Sequence, residues 1–180
     1  MATISYFGQL FLALSNHIKT NVPEIKWIDQ DFGQLEQFEY RPAVNFPCVL
    51  IDFPMANYSN LSELSQLGDV TVQLRMGFAP FSHSHAAAPI NVREQALEYY
   101  QIEQKVFEAV QGFATAYTQP LIRINAGTEQ RMSSSDQADS IGLRVRVMNF
   151  STQFEDNSVL PQYVKQAVDL DIDQEIQLPL

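Results

Sequence analysis

An α+β fold is what this sequence predicts, and three patterns carry that prediction. Two stretches, 4–18 and 99–113, repeat apolar residues every three or four positions, as amphipathic helices do. Others alternate apolar with polar residues, the period of a half-buried strand. Between Pro120 and Asp156, two strand-like stretches flank a polar span, which predicts a long β-hairpin arm late in the chain.

Taken in order, Thr3 or Ser5 can cap a first helix, and Ile4, Phe7, Phe11, Leu14 and Ile18 form its apolar stripe, ending before Asn21 and Pro23. His17 falls inside it with no second ligand at i+3 or i+4, so a plain polar residue is expected there. Ile25 to Ile28 predicts a short strand, with Trp27 a core or subunit-contact residue. Asp29, Asp31, Glu36 and Glu39 then read as a solvated loop. Paired carboxylates can do acid–base work, but no nearby His or Lys pattern partners these.

Phe46 to Phe53 is a continuous apolar run, suited to a strand covered on both faces, with Pro47 at its start. Residues 54–67 are rich in Asn and Ser and read as a polar connection. In the next strand Val70, Val72, Leu74, Met76 and Phe78 alternate with Asp69, Thr71, Gln73, Arg75 and Gly77. It is expected to pair antiparallel with the strand before it, its second face wet or covered only by a partner. Asn91 is expected to cap a second helix with Glu94 completing a capping box, and Tyr99, Ile102, Val106, Val110 and Phe113 supply its core stripe. Pro120 closes that region.

In the hairpin, Leu121 to Ile124 begins one strand and Leu143 to Val147 the other. Leu143, Val145 and Val147 oppose Arg144 and Arg146, and the apolar phase then shifts to Phe150 and Phe154. That shift predicts a bulge near Met148 and Asn149. The tip around Ser133–Ser140 is longer than a tight turn, as functional or disordered loops often are. Beyond Asp156, Val168, Leu170 and Ile172 alternate with Asp169, Asp171 and Asp173, an acidic tail that can add as an edge strand on its own subunit or the next. The expected division is one domain over 1–156 and this tail over 157–180.

Length and composition agree with that division. At 180 residues, 46% hydrophobic and 11% aromatic, the chain can bury one core. A net charge of −10 argues against a broad nucleic-acid surface, although Arg123, Arg131, Arg144 and Arg146 gather in the hairpin. The single cysteine, Cys48, forms no intramolecular disulfide, and its neighbours Val49, Leu50 and Ile51 suit a buried thiol better than a nucleophile. Met1 to Ser5 lacks a basic start and a cleavage pattern, and no apolar run approaches the ~20 residues of a membrane span. A cytoplasmic product with no membrane partner is therefore expected.

No phosphate-cradling glycine motif, no G-x-S-x-G and no C-x-x-C occurs. His83 and His85 could share a metal if their loop curled, but no neighbouring Cys, Asp or Glu supplies a third ligand, and a small-residue loop is the plainer reading. No catalytic residue, metal or cofactor is expected.

The order of elements resembles the tail terminator (tail completion) proteins of long-tailed bacteriophages and prophages. The resemblance is carried by the first helix, Val22-Pro23-Glu24-Ile25-Lys26-Trp27-Ile28-Asp29, Arg41-Pro42-Ala43-Val44-Asn45-Phe46-Pro47-Cys48-Val49-Leu50-Ile51-Asp52, the helix around Glu103–Val110, and Leu143–Phe150 closing on Phe154-Glu155-Asp156. It covers most of residues 1–156. It implies a mixed, mainly antiparallel twisted sheet with two helices packed on it. It also implies a ring, typically a hexamer, on the head-proximal end of the tail tube, ending tube growth and preparing head–tail joining. The implied partners are further copies of the chain, the tail tube protein and a head–tail connector protein, and the implied location is the virion tail after assembly in the host cytoplasm. No catalytic residues carry over. Candidate contacts to a neighbouring subunit or the tube are Arg123, Arg131, Ser134, Asp136, Asp139, Arg144 and Arg146; solvated arginines on an open face are the alternative. Rival readings are another neck connector ring, a small metal-dependent enzyme using His83 and His85, and a peptide-binding module.

Overall fold

Ser5 starts the first helix. Its Oγ accepts the Gly8 amide at 3.3 Å, satisfying one of the amides that a first turn leaves free, and α1 runs Tyr6–Asn21. The computed structural model describes residues 5–36, 44–79, 84–129 and 143–159. α1 buries Leu10, Leu14 and Ile18, with Phe7 and Phe11 at the margin; Leu10 joins the expected stripe.

The second helix, α2, spans Ile90–Val110 and starts differently from the expectation. Pro89 is its N-cap, no side chain caps it, and the Pro89 carbonyl already accepts the Val92 and Arg93 amides. Asn91 therefore lies inside the first turn. The inner stripe is Ala96, Ile102, Val106 and Val110, with Tyr99 and Phe113 beside it. His17 ties the two helices: its Nε2–H donates to the Ala109 carbonyl at 2.8 Å, and its ring lies 4.5 Å from that of Phe113.

Among the described residues five strands form one sheet in the order β1-β2-β3-β5-β4: β1 Trp27–Gln30, β2 Cys48–Asn60, β3 Gln66–Phe78, β4 Ile122–Thr128 and β5 Arg144–Asp156. β1 runs parallel to β2 and every other pair is antiparallel. The sheet is thus mixed and mainly antiparallel, with both helices on one face. Pro47 immediately precedes β2, after a cis Phe46–Pro47 peptide.

Residues 54–67 are not a loose connection. β2 and β3 continue as a hairpin to Asn60↔Gln66, turning over residues 61–65, where the Ser65 carbonyl accepts the Leu61 and Ser62 amides. Ladder hydrogen bonds satisfy this stretch without burial, so its Asn and Ser side chains look like loop in the sequence. Phe53 and Pro54 together oppose Val72. This bulge places the proline where a missing N–H does least harm.

The bulge expected near Met148 and Asn149 is absent from β5, whose ladder with β3 is unbroken from Arg144 to Asp156. The irregularity lies in β4, between Arg123 and Asn125. What shifts along β5 is which face is covered. Met148, Phe150 and Phe154 face the helices, whereas Val145 and Val147 face the other side.

That second face has its own small core of Leu35, Cys48, Leu50 and Val145, edged by Trp27, Val44, Phe46, Leu143 and Val147. Gly77 belongs to it because a Cβ there would sit 2.8 Å from Cys48 Sγ and 2.9 Å from the Phe46 ring. The expected buried thiol is confirmed: Cys48 is fully buried, and burial pushes its pKa up to about 11.

Candidate functional site

Three of the candidate arginines lie along the seam between α2 and the hairpin. Arg144 and Arg146 alternate with Val145 on β5 and so face the helices. Arg123 pairs with Phe150 across the β4–β5 ladder and faces the same way. Arg146 is committed within the chain. Its Nε and Nη2 each donate to a Glu103 carboxylate oxygen at 2.8 Å, and Nη1 donates to Thr128 Oγ1 at 2.6 Å. Glu103, buried within α2, holds the Arg146 pKa above its usual value against the opposing cost of burial. Such two-pronged pairs fix orientation as well as charge.

Arg123 and Arg144 have no carboxylate partner among the described residues. The Arg123 guanidinium lies 3.6 Å from the centre of the Phe107 ring, and its backbone N–H donates to Gln111 Oε1 at 3.0 Å. Arg144 lies 5.1 Å from Tyr99 and 6.0 Å from Tyr100; its Nε is buried without a hydrogen-bond partner among the described residues. Burial and a hydrogen bond to Tyr100 push the Tyr99 pKa up to about 12, while the same bond lowers that of Tyr100. Cations over these rings gain from the ring quadrupole yet keep their charge for a further partner. Arg131, Ser134, Asp136 and Asp139 lie outside the described residues.

β4 ends the sheet on this side. Ile122 is 50% exposed and Ile124 is 55% exposed, an unusual display of apolar surface on an edge strand. At the other end of the sheet β1 is only four residues long, and a cleft of about 480 Å³ between it and α1 is lined by Ser15, Lys19, Lys26, Trp27 and Asp29. The Trp27 indole N–H is buried with no partner among the described residues. A second cleft, of about 600 Å³, lies against the first half of α2, between Phe46, Phe78, Ala96, Tyr99 and Ile102.

The most heavily charged cluster is one that sequence reasoning missed. Arg75, expected on a wet face, is buried on the second face of the central strand β3. Its Nη1 donates to Asp31 at 2.7 Å, its Nε and Nη2 donate to Glu129 at 3.0 and 2.7 Å, and its Nη2 also donates to Glu36. Burial works against the charge, but the bonds to Glu36, Asp31 and Glu129 outweigh it and raise the Arg75 pKa. Asp31 is therefore no solvated loop residue; its side chain is 8% exposed. Its Oδ1 also accepts the Gly33 amide at 2.9 Å. Glu39 lies outside the described residues.

His85 is exposed and His83 lies outside the described residues. Among the described residues, no group of three or more His, Cys, Asp or Glu side chains is placed to hold a metal ion. No described helix is long and apolar enough to cross a membrane.

No family model matches this chain, and no curated protein does. Among solved structures, it is similar to a chain from the virion of a native gene transfer agent particle, with a TM-score of 0.36 and 9% identity over 79% of this chain and 84% of that one.

Proposed function

We propose that this chain is a structural protein of a tailed-phage particle, a tail terminator that assembles as a ring on the head-proximal end of the tail tube and ends tube growth. The reading rests on the resemblance in element order set out above. The structural observation behind the ring is a single sheet whose two ends, unpaired among the described residues, are unlike: short β1 beside a lysine-lined cleft and β4 with Ile122 and Ile124 half exposed. A head-to-tail ring needs two different patches on each subunit, and these ends are the patches. Arg123 and Arg144, still without acidic partners, serve the contact, and Arg146 holds the seam that presents them. The proposed partners are copies of the chain, typically six, then the tube protein below and a connector above. No residue is assigned a catalytic role.

The test is assembly of purified tube protein with and without this chain. Tubes of limited length that carry this chain at one end only are expected, together with a ring-sized mass by light scattering as concentration rises. Unchanged tube lengths with no binding at tube ends would overturn the terminator reading. Binding to the connector but not to the tube would move the chain to the neck-ring reading.

A further inference from the structure

Among the described residues no strand pairs with the outer edge of β4, and the same sequence can supply one. Seven residues long, β4 carries two half-exposed isoleucines and Arg123, with Arg144 on the neighbouring β5; neither arginine has a carboxylate partner among the described residues. Proteins usually blunt such edges or cover them. Gln111 already takes the Arg123 amide, so the open stretch is Ile124–Thr128. The segment 168–173 alternates Val168, Leu170 and Ile172 with Asp169, Asp171 and Asp173. One side of such a strand would meet apolar edge residues, and the other would bring three carboxylates to the arginine flank.

We infer that the β4 edge is a strand-addition site for the acidic segment 168–173 of a second copy of this chain. Two observations favour a second copy over the chain's own tail. Ser65 Oγ donates to Asn157 Oδ1 at 2.5 Å, which holds the departing chain at the β2–β3 turn, across β5 from β4. The stretch before β4 covers the β5 edge between Asn157 and β4: Gln119 N donates to the Gln153 carbonyl and Thr118 bridges Phe154. The eight residues 160–167 span at most roughly 27 Å, which sets how near the second copy must lie. Main-chain hydrogen bonds give such an added strand its affinity, and its alternating side chains give its specificity. The inference rests on the ring reading and names the element that closes each subunit contact.

Cysteine pairing in the full chain tests it. Ile124→Cys or Ala126→Cys on one preparation is mixed with Val168→Cys, Leu170→Cys or Ile172→Cys on another, under mild oxidation. At least one mixed pair should give disulfide-linked dimers about tenfold above either variant alone, and Leu170→Pro should abolish the concentration-dependent growth in mass. Arg123→Glu should weaken that growth about tenfold, and Asp171→Arg in the same chain should restore part of it. The inference fails if no mixed pair links. It also fails if the double variant Ile124→Cys/Leu170→Cys links within one chain while mixed singles do not, or if Leu170→Pro assembles like the parent. If Leu170→Pro still caps tubes, strand exchange falls and the terminator reading stands; if the parent chain itself neither associates nor caps tubes, both fall.

Discussion

On the side of the sheet facing the helices, Val70, Val72, Leu74, Met76 and Phe150 pack against Leu14, Ile18, Val106 and Val110, all essentially without solvent contact. On the opposite side, one residue along the same β3, Arg75 sits among three carboxylates beside a smaller core formed, among the described residues, by Leu35, Cys48, Leu50 and Val145. The first face is held chiefly by burial, non-directional and tolerant of any apolar side chain of the right size, with the Arg146–Glu103 pair and the His17–Ala109 bond beside it. The second is held by donors and acceptors that must meet at set angles, with little apolar area behind them. The first therefore fixes that the chain folds, and the second fixes where the 31–36 loop and the end of β4 are placed.

Substitutions can break or sharpen this contrast. Phe150→Ala should cost the most, ~3–5 kcal/mol of unfolding free energy by denaturant titration, because it opens a cavity in the larger core; a loss under 1 kcal/mol would mean that this face is not the main core. Arg75→Met should cost ~2–4 kcal/mol, since it leaves Asp31 buried without its counter-charge while Glu36 and Glu129 keep access to water. Its loss should fall most sharply on local protection of 31–36, read by amide exchange, while α1 and α2 stay protected. Uniform loss across both faces would erase the distinction. Gly77→Ala should cost ~1–3 kcal/mol through overlap with Cys48 and Phe46.

The smallest effect is on the thiol. With its pKa raised by burial to about 11, Cys48 stays protonated in the folded chain after the unfolded chain has begun to ionise, near the ordinary thiol value of ~8.5. Its contribution to stability is therefore complete below that value and declines as pH climbs toward 11. Labelling by a thiol reagent at pH 8 should track unfolding; rapid labelling of the folded protein would show that the second face is open.

The helix-facing side was legible in the sequence because periodicity reports burial directly. Leu14, Ile18, Ile102, Val106 and the alternating run of β3 all lie where their spacing predicts. The second face was not legible, since Asp31, Glu36 and Glu129 lie far from Arg75 in the chain and no local pattern joins them. The one available signal was an arginine centred in an otherwise regular strand, with acidic residues crowding the loop after β1. The polar outer half of the β2–β3 hairpin reads as loop in the sequence because composition cannot distinguish a wet strand from a connection. Of the arginines singled out in the hairpin, Arg146 turned inward to Glu103, a pairing across 43 residues that no spacing rule anticipates. The parallel β1–β2 pair followed from the family resemblance only as far as a mixed sheet.

Arg75 also has a mechanical consequence. One guanidinium, rooted in the middle strand of the five described, holds Asp31 and Glu36 in the stretch after β1 and Glu129 just past the end of β4. A pull on Glu36 or on Glu129 is delivered to β3 and resisted as shear along its long ladders with β2 and β5, rather than by peeling an edge strand one bond at a time. Resistance to such a pull depends on the unfolding barrier and not on equilibrium stability. A subunit tugged from two places at once would thus yield late and as a unit.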